Sequence, residues 1–393
     1  MKGPLSSLKV LDFSTLLPGP FASLLLADMG AEVLRIESPG RVDLVRVLPP
    51  HVEGVSTSHA YLNRNKRCLA LDLKKPEALE VVRRLVAEYD IVLEQFRPGV
   101  MDKLGLGYEA LKAINPRLIY VSITGYGQTG PYRDRAGHDL NYLALSGLAS
   151  YTGRRESGPL PLGMQVADIA GGSLHGVIGL LAAVIARQSS GQGQHVDISM
   201  TDCAFSLHAM AGAGFLAGGV EPEMENQVLN GGSFYDYYRT RDGRWLSVGS
   251  LEPQFMQQFC AALGRPELAA LGLSPRDQQR LKKEIAIEVE KHDLSEWQQR
   301  FVALDACVEP VLKLSEAVEH PQLKARGVVT EVPREGGAAQ RQIACPIRFS
   351  QGLEPPRHIG SALGEHNHEV LRELGYAEDE ITALRASGAL GRA

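Results

Sequence analysis

The chain opens on a short apolar run, Val10-Leu11-Asp12-Phe13, which predicts a buried strand. Pro18 to Gly30 then reads as a helix, with prolines at its entry and a glycine at its exit. Glu32 to Ile36 is the next strand. Farther on, the apolar positions of Pro76 to Tyr89 recur at helical spacing, and strands follow at Ile91 to Phe96 and Leu118 to Ile123. Asp139 to Tyr151 and Ala170 to Gln188 are helical by the same test, and His195 to Ser199 is a further strand. Strand, helix, strand at these spacings predicts an α/β fold with a parallel sheet.

The pattern then changes. Ala209 to Gly219 is built of small residues and fits either a tightly packed helix or a linker closing the first domain. Phe234 to Thr240 and Trp245 to Val248 pair as strands around the turn Arg241-Asp242-Gly243, and several helices follow between Glu252 and about Arg326. Short strands and two charged helices, Asn367 to Leu374 and Glu378 to Leu384, end the chain. With 393 residues, more than one core is expected. The expected division is a large domain over 1–208, a linker over 209–225, a small α+β domain over 226–330 and a last segment over 331–393.

Composition narrows the function. A hydrophobic content of 44% and a net charge of −5 describe an ordinary globular protein and argue against a nucleic-acid partner. The densest basic cluster, Arg64-Asn65-Lys66-Arg67, suits at most a small phosphorylated ligand, with solvated surface charge as the competing reading. Five scattered cysteines include no CxxC pair, so no metal site or disulfide framework is expected. No stretch reads as a membrane span and the N-terminus lacks a signal-peptide pattern, so no membrane partner and a cytoplasmic location are expected.

The candidate chemistry lies at two helix starts. The first strand–helix turn, Leu16-Leu17-Pro18-Gly19-Pro20, is not GxGxxG, and neither a Walker motif nor GxSxG occurs. Gly137-His138-Asp139 precedes one helix, and Ala167-Asp168-Ile169-Ala170-Gly171-Gly172-Ser173 precedes another. An anion at Asp168 would be favoured by the helix dipole, and the amides there could stabilise an enolate oxygen. An aspartate before a helix ordinarily caps it, and a histidine beside an aspartate is ordinarily a surface or satisfied core pair. Gly171 and Gly172 are poor helix formers, which asks for a reason such as close approach of a ligand. Glu252-Pro253 is most simply another helix start.

Longer motifs carry a resemblance. Val10 to Glu37, Phe96-Arg97-Pro98-Gly99-Val100, Thr124 to Pro131 and Gly191 to Asp202 resemble, in order, the family III CoA-transferase (CaiB/BaiF) superfamily. Gly137-His138-Asp139-Leu140-Asn141-Tyr142, Glu252-Pro253-Gln254-Phe255 and Leu17-Pro18-Gly19-Pro20 are closest to its α-methylacyl-CoA racemase branch. The resemblance implies a Rossmann-like large domain, a smaller α+β domain, and ring-shaped monomers interlocked as an obligate homodimer.

It also implies an acyl-CoA substrate, with no cofactor beyond the coenzyme A of that substrate and no metal. In the racemase reading, His138 and Asp168 exchange a proton at the α-carbon of a 2-methylacyl-CoA, Glu252 supports His138, and Asp139 assists Asp168. In the alternative, a CoA transferase, Asp168 attacks the thioester as a nucleophile. Arg97 is implied near the adenine. Arg64, Lys66 and Arg67 are candidate phosphate contacts. Some racemases carry a basic residue just after the second strand, where this chain has Ser38, and Arg41 is the candidate substitute. The amides of Gly171 and Gly172 are the candidate oxyanion donors.

Overall fold

A computed structural model describes residues 3–391. Its contacts divide the chain into two units. The first runs to Ser146, takes in Gly163–Leu207 and resumes at Lys324; the second comprises Gly147–Leu162 and His208–Leu323.

In the first unit, β1 (Lys9–Asp12), α1 (Pro18–Asp28), β2 (Glu32–Glu37), β3 (Arg67–Ala70), α2 (Pro76–Glu88), β4 (Ile91–Glu94) and β5 (Ile119–Thr124) follow one another. Then come α3 (Asp139–Leu145), α4 (Ala167–Ser190), β6 (Gln194–Ser199) and α5 (Met200–Ser206). The six strands are parallel, in the order β6-β5-β4-β1-β2-β3. Strands covered on both faces read as continuous apolar runs, which is why β1, β2, β4 and β5 are legible in the sequence. β3 is not, because charged residues crowd its start. Leu11, Leu34, Leu69, Val92 and Tyr120 of the strands pack with Val81, Val82 and Leu85 of α2 in one buried cluster.

The helix expected over 139–151 stops at Leu145, and a short turn, Leu148–Tyr151, follows Gly147 at φ +88. α4 runs unbroken for 24 residues and is long and apolar enough to cross a membrane by length and composition, contrary to the expectation that no stretch would be. Val177, Leu180 and Ala183 of α4 are buried, and its glycines lie against Ile123, Val196 and Ile198 of the sheet. One side of α4 thus packs on the sheet, while Ile178 and Ile185 on it are 63% and 67% exposed.

The second unit holds α6 (Ala209–Gly218), so this small-residue segment is helix. A three-stranded antiparallel sheet follows, from β7 (Asp236–Arg239), β8 (Trp245–Val248) and β9 (Val308–Pro310), the first two pairing as a hairpin as the turn residues predict. α7 (Pro253–Leu263), α8 (Gln278–Val289) and α9 (Leu294–Phe301) bury Phe259, Ile285 and Trp297 around Phe234 and Leu246. Residues 147–162, expected in the large domain, fall in this unit, where Arg154 is ion-paired with Asp236 and Glu225. Beyond it, β10 (Val329–Val332) pairs with β11 (Gln340–Ile343), and α10 (Asn367–Glu373) and α11 (Glu378–Ala386) return Val370, Leu371 and Ile381 to the core of the first unit.

Candidate active site

The strand order reverses between β1 and β4, and a parallel sheet leaves a crevice outside the carboxyl ends of its strands at such a point. A cavity of about 280 Å³ opens there. Its wall takes Leu16 and Pro18 from the turn after β1, Gln95 to Pro98 from the turn after β4, and Ile123 to Tyr126 from the end of β5. The other side brings His138, Tyr142, Asp168 and Met200. Six segments far apart in sequence thus place Asp168, His138 and Arg97 around one space.

Local geometry fixes Asp168. The first two turns of α4, Ala167–Leu174, are π-helical, and Asp168 is the second residue. Helix starts leave amides without acceptors, and here Asp139 Oδ1 takes two, from Ala167 (2.7 Å) and Asp168 (3.1 Å). Asp168 therefore does not cap its helix; Asp139 does. Ser173 Oγ donates to the carbonyls of Pro18 (2.6 Å) and Asp168 (3.2 Å), bolting the π-helical turn to the loop after β1. Burial pushes the Asp168 carboxyl up to about 6, and the charge of Asp139 adds to the rise while His138 opposes it.

His138 stands at the N-terminus of α3. Its amide donates to Asn141 Oδ1 (3.0 Å), and the Asn141 amide donates back to the His138 carbonyl (2.8 Å). Tyr142 Oη donates to the Gly137 carbonyl (2.5 Å), holding the turn just before it. The imidazole is exposed and makes no side-chain cap bond. Glu252 belongs to the second unit, where it is the exposed N-cap of α7, the helix start expected of Glu252-Pro253.

The basic run is placed otherwise than expected. Arg64 is buried, with Nε and Nη2 on Asp28 (2.9 and 2.6 Å) and Nη1 on the Ile343 carbonyl (2.6 Å). Lys66 is buried too, donating to the Pro20 carbonyl (2.9 Å) and Asn63 Oδ1 (3.1 Å) beside Asp12. Burial pulls its ammonium down to about 8, against the pull of Asp12. Arg67 is taken by Glu32, Glu369 and Glu373. Neither Arg64 nor Lys66 reaches solvent, so a phosphate contact by either conflicts with this geometry. Arg97 and Arg41 are exposed and have no ion pair among the described residues, and Arg97 lines the cavity.

Gly171 and Gly172 also find a different reason. A Cβ at Gly171 would lie 3.1 Å from the Met200 carbonyl, and one at Gly172 the same distance from Met200 and Pro18 side chains. Close packing of α4 on α5 and on the loop after β1 explains both glycines, and both are buried. Gln95, Arg133 and Arg135 join the cavity wall without having been singled out in the sequence. The position of Gln95, directly after a parallel strand and two residues before Arg97, was the available signal. Among the described residues, no three His, Cys, Asp or Glu side chains gather as metal ligands would.

Known proteins match the chain in sequence and in fold. A family model described as CoA-transferase family III matches residues 5–367. α-Methylacyl-CoA racemase of Mus musculus is 38% identical over 97% of this chain and 96% of its own length. Succinate–glutarate CoA-transferase of Agrobacterium fabrum is 35% identical over 97% and 98%. The crystal structure of a CAIB/BAIF family protein from Brucella suis superposes with a TM-score of 0.83 at 32% identity, covering 95% of this chain and all of that one. The chain therefore belongs to CoA-transferase family III and is an enzyme of that family's transferase and racemase kind.

Proposed function

We propose that this enzyme inverts the α-carbon of 2-methyl-branched acyl-CoA thioesters by 1,1-proton transfer through an enolate. One observation carries the reading: Asp168 and His138 line the same cavity, where burial pushes the carboxyl of Asp168 up to about 6. Inversion needs two acid/base groups, one for each face of the carbon, and groups that change protonation near neutral pH serve best. A neutral His138 takes the α-proton while protonated Asp168 delivers one to the opposite face; the reverse reaction exchanges the roles. The C–H electron pair passes to the thioester oxygen and returns when the new C–H bond forms. Asp139 acts on Asp168 twice, by fixing its backbone and by raising its pKa. Glu252 is the proposed support of the imidazolium. No metal is assigned to the reaction.

Coenzyme A enters as part of the substrate. Arg97 and Arg41, both exposed and unpaired among the described residues, are the proposed contacts to its nucleotide. The working form is proposed to be an interlocked homodimer. The apolar helix α6 supports this: none of its residues is buried, and Met210 and Leu216 on it are 78% and 72% exposed.

The competing chemistry is CoA transfer with Asp168 as nucleophile. The test is incubation with a 2-methylacyl-CoA in D2O without an acceptor acid. Deuterium entering the α-position, with loss of optical purity, is the expected result. No exchange, together with hydroxylamine trapping of an acylated Asp168, would assign the enzyme to the transferases.

A further inference from the structure

Removing a proton beside a thioester sends a negative charge to the carbonyl oxygen, and that charge needs a donor positioned in advance. Several amides at and beside the cavity are already taken. Leu16 N–H donates to Asp43, Gly19 N–H to Gln95, His138 N–H to Asn141, and Asp168 N–H to Asp139. Gly171 and Gly172 lie packed against Met200 and Pro18.

Gln95 is different. Its Oε1 accepts the Gly19 amide at 2.9 Å. A backbone N–H can only donate, so this bond fixes which end of the carboxamide is oxygen. The NH2 end is then oriented as well, and no acceptor among the described residues takes its hydrogens. The side chain lies half-buried in the cavity wall, whereas the guanidinium-bearing Arg97 and Arg135 are exposed. A fixed donor in the drier part of a cavity is worth more than a mobile one in water.

We infer that the carboxamide NH2 of Gln95 donates a hydrogen bond to the thioester oxygen as it becomes an enolate, which makes Gln95 a catalytic residue. This rests on the proton-transfer reading above. The role belongs to the side chain after β4, in place of the glycine amides of α4.

Two substitutions separate donation from bolting. Gln95→Glu keeps an acceptor for Gly19 N–H and loses the donors at neutral pH; Gln95→Met loses both without adding charge. Each is expected to lower kcat for α-proton exchange by about 10²-fold or more with little change in KM. Gln95→Glu should melt with the wild type. A fall in Gln95→Glu alone would assign the effect to charge repulsion and overturn the inference, as would wild-type kcat in both variants. A wild type that exchanges no α-proton sinks the proton-transfer reading instead. The variants are then compared in CoA transfer, where the same oxygen gains charge in the tetrahedral adduct, and undiminished transfer would overturn the role of Gln95.

Discussion

The basic segment Arg64–Arg67 and the acidic positions Asp139 and Asp168 belong to the same unit, and both concentrate charge, yet their side chains are completed in opposite ways. Arg64 and Lys66 meet carboxylates and carbonyls on every side: Asp28, Ile343, Pro20 and Asn63. Around Asp168 the bonding stops at the backbone. Asp139 and Ser173 hold its amide and carbonyl, while its carboxylate receives no hydrogen bond among the described residues. A buried ion with all its partners is structure; a half-buried carboxyl with a fixed main chain and unused oxygens is a reagent. Asp139 sits between the two, spending one oxygen on two amides and its charge on a neighbour.

The sharpest way to break this comparison is to remove the reagent. Asp168→Asn keeps size and polarity and loses the proton, so α-proton exchange should fall by roughly 10⁴-fold with the fold intact. His138→Ala should also cost about 10²-fold or more in exchange but leave any CoA-transfer activity largely standing. Exchange rates by NMR, with circular dichroism as the check on folding, decide both. Near-wild-type exchange in Asp168→Asn would remove Asp168 from the chemistry.

On the structural side, Arg64→Ala leaves Asp28 buried without its partner and should destabilise the protein by about 3–5 kcal/mol. Denaturant melts measure this, and the KM of the folded enzyme for acyl-CoA should hardly change. A raised KM with unchanged stability would restore Arg64 as a phosphate contact. Arg97→Ala is the mirror experiment. Melting should be unaffected, because Arg97 is exposed and unpaired among the described residues, while KM rises about tenfold at constant kcat.

These contrasts also explain what the sequence could reveal. The parallel sheet was legible because strands buried on both faces leave unbroken apolar runs at Val10 and Ile91. Asp168 and His138 were legible as short motifs at helix starts. The partners of Arg64 were not, since Asp28 and Ile343 lie 36 and 279 positions away and nothing local marks them. β3 was hidden for the same reason, as the charges around it suggested surface. Gly171 and Gly172 did need a close neighbour, but the sequence could not say that it was Met200 and not a ligand. Gln95 carries no charge and no motif weight; its meaning comes from the bond to Gly19 that fixes its amide.

The smallest effect tests the reagent without its substrate. The carboxyl of Asp168 is raised from 3.8 to about 6 in the folded protein, so ionisation opposes folding. The stability it contributes is fully present below 3.8 and is lost as pH rises through about 6. Asparagine cannot ionise, so Asp168→Asn should be more stable than the wild type near pH 8. Allowing for the solvent that screens a half-buried group, the gain is about 1 kcal/mol. The difference should shrink steadily on acidification and vanish near the ordinary carboxylate range. A gap independent of pH would mean that Asp168 is held by packing alone. A gap that widens toward acid would mean that its charge is stabilised in the fold, which would make Asp168 part of the structure and not the reagent.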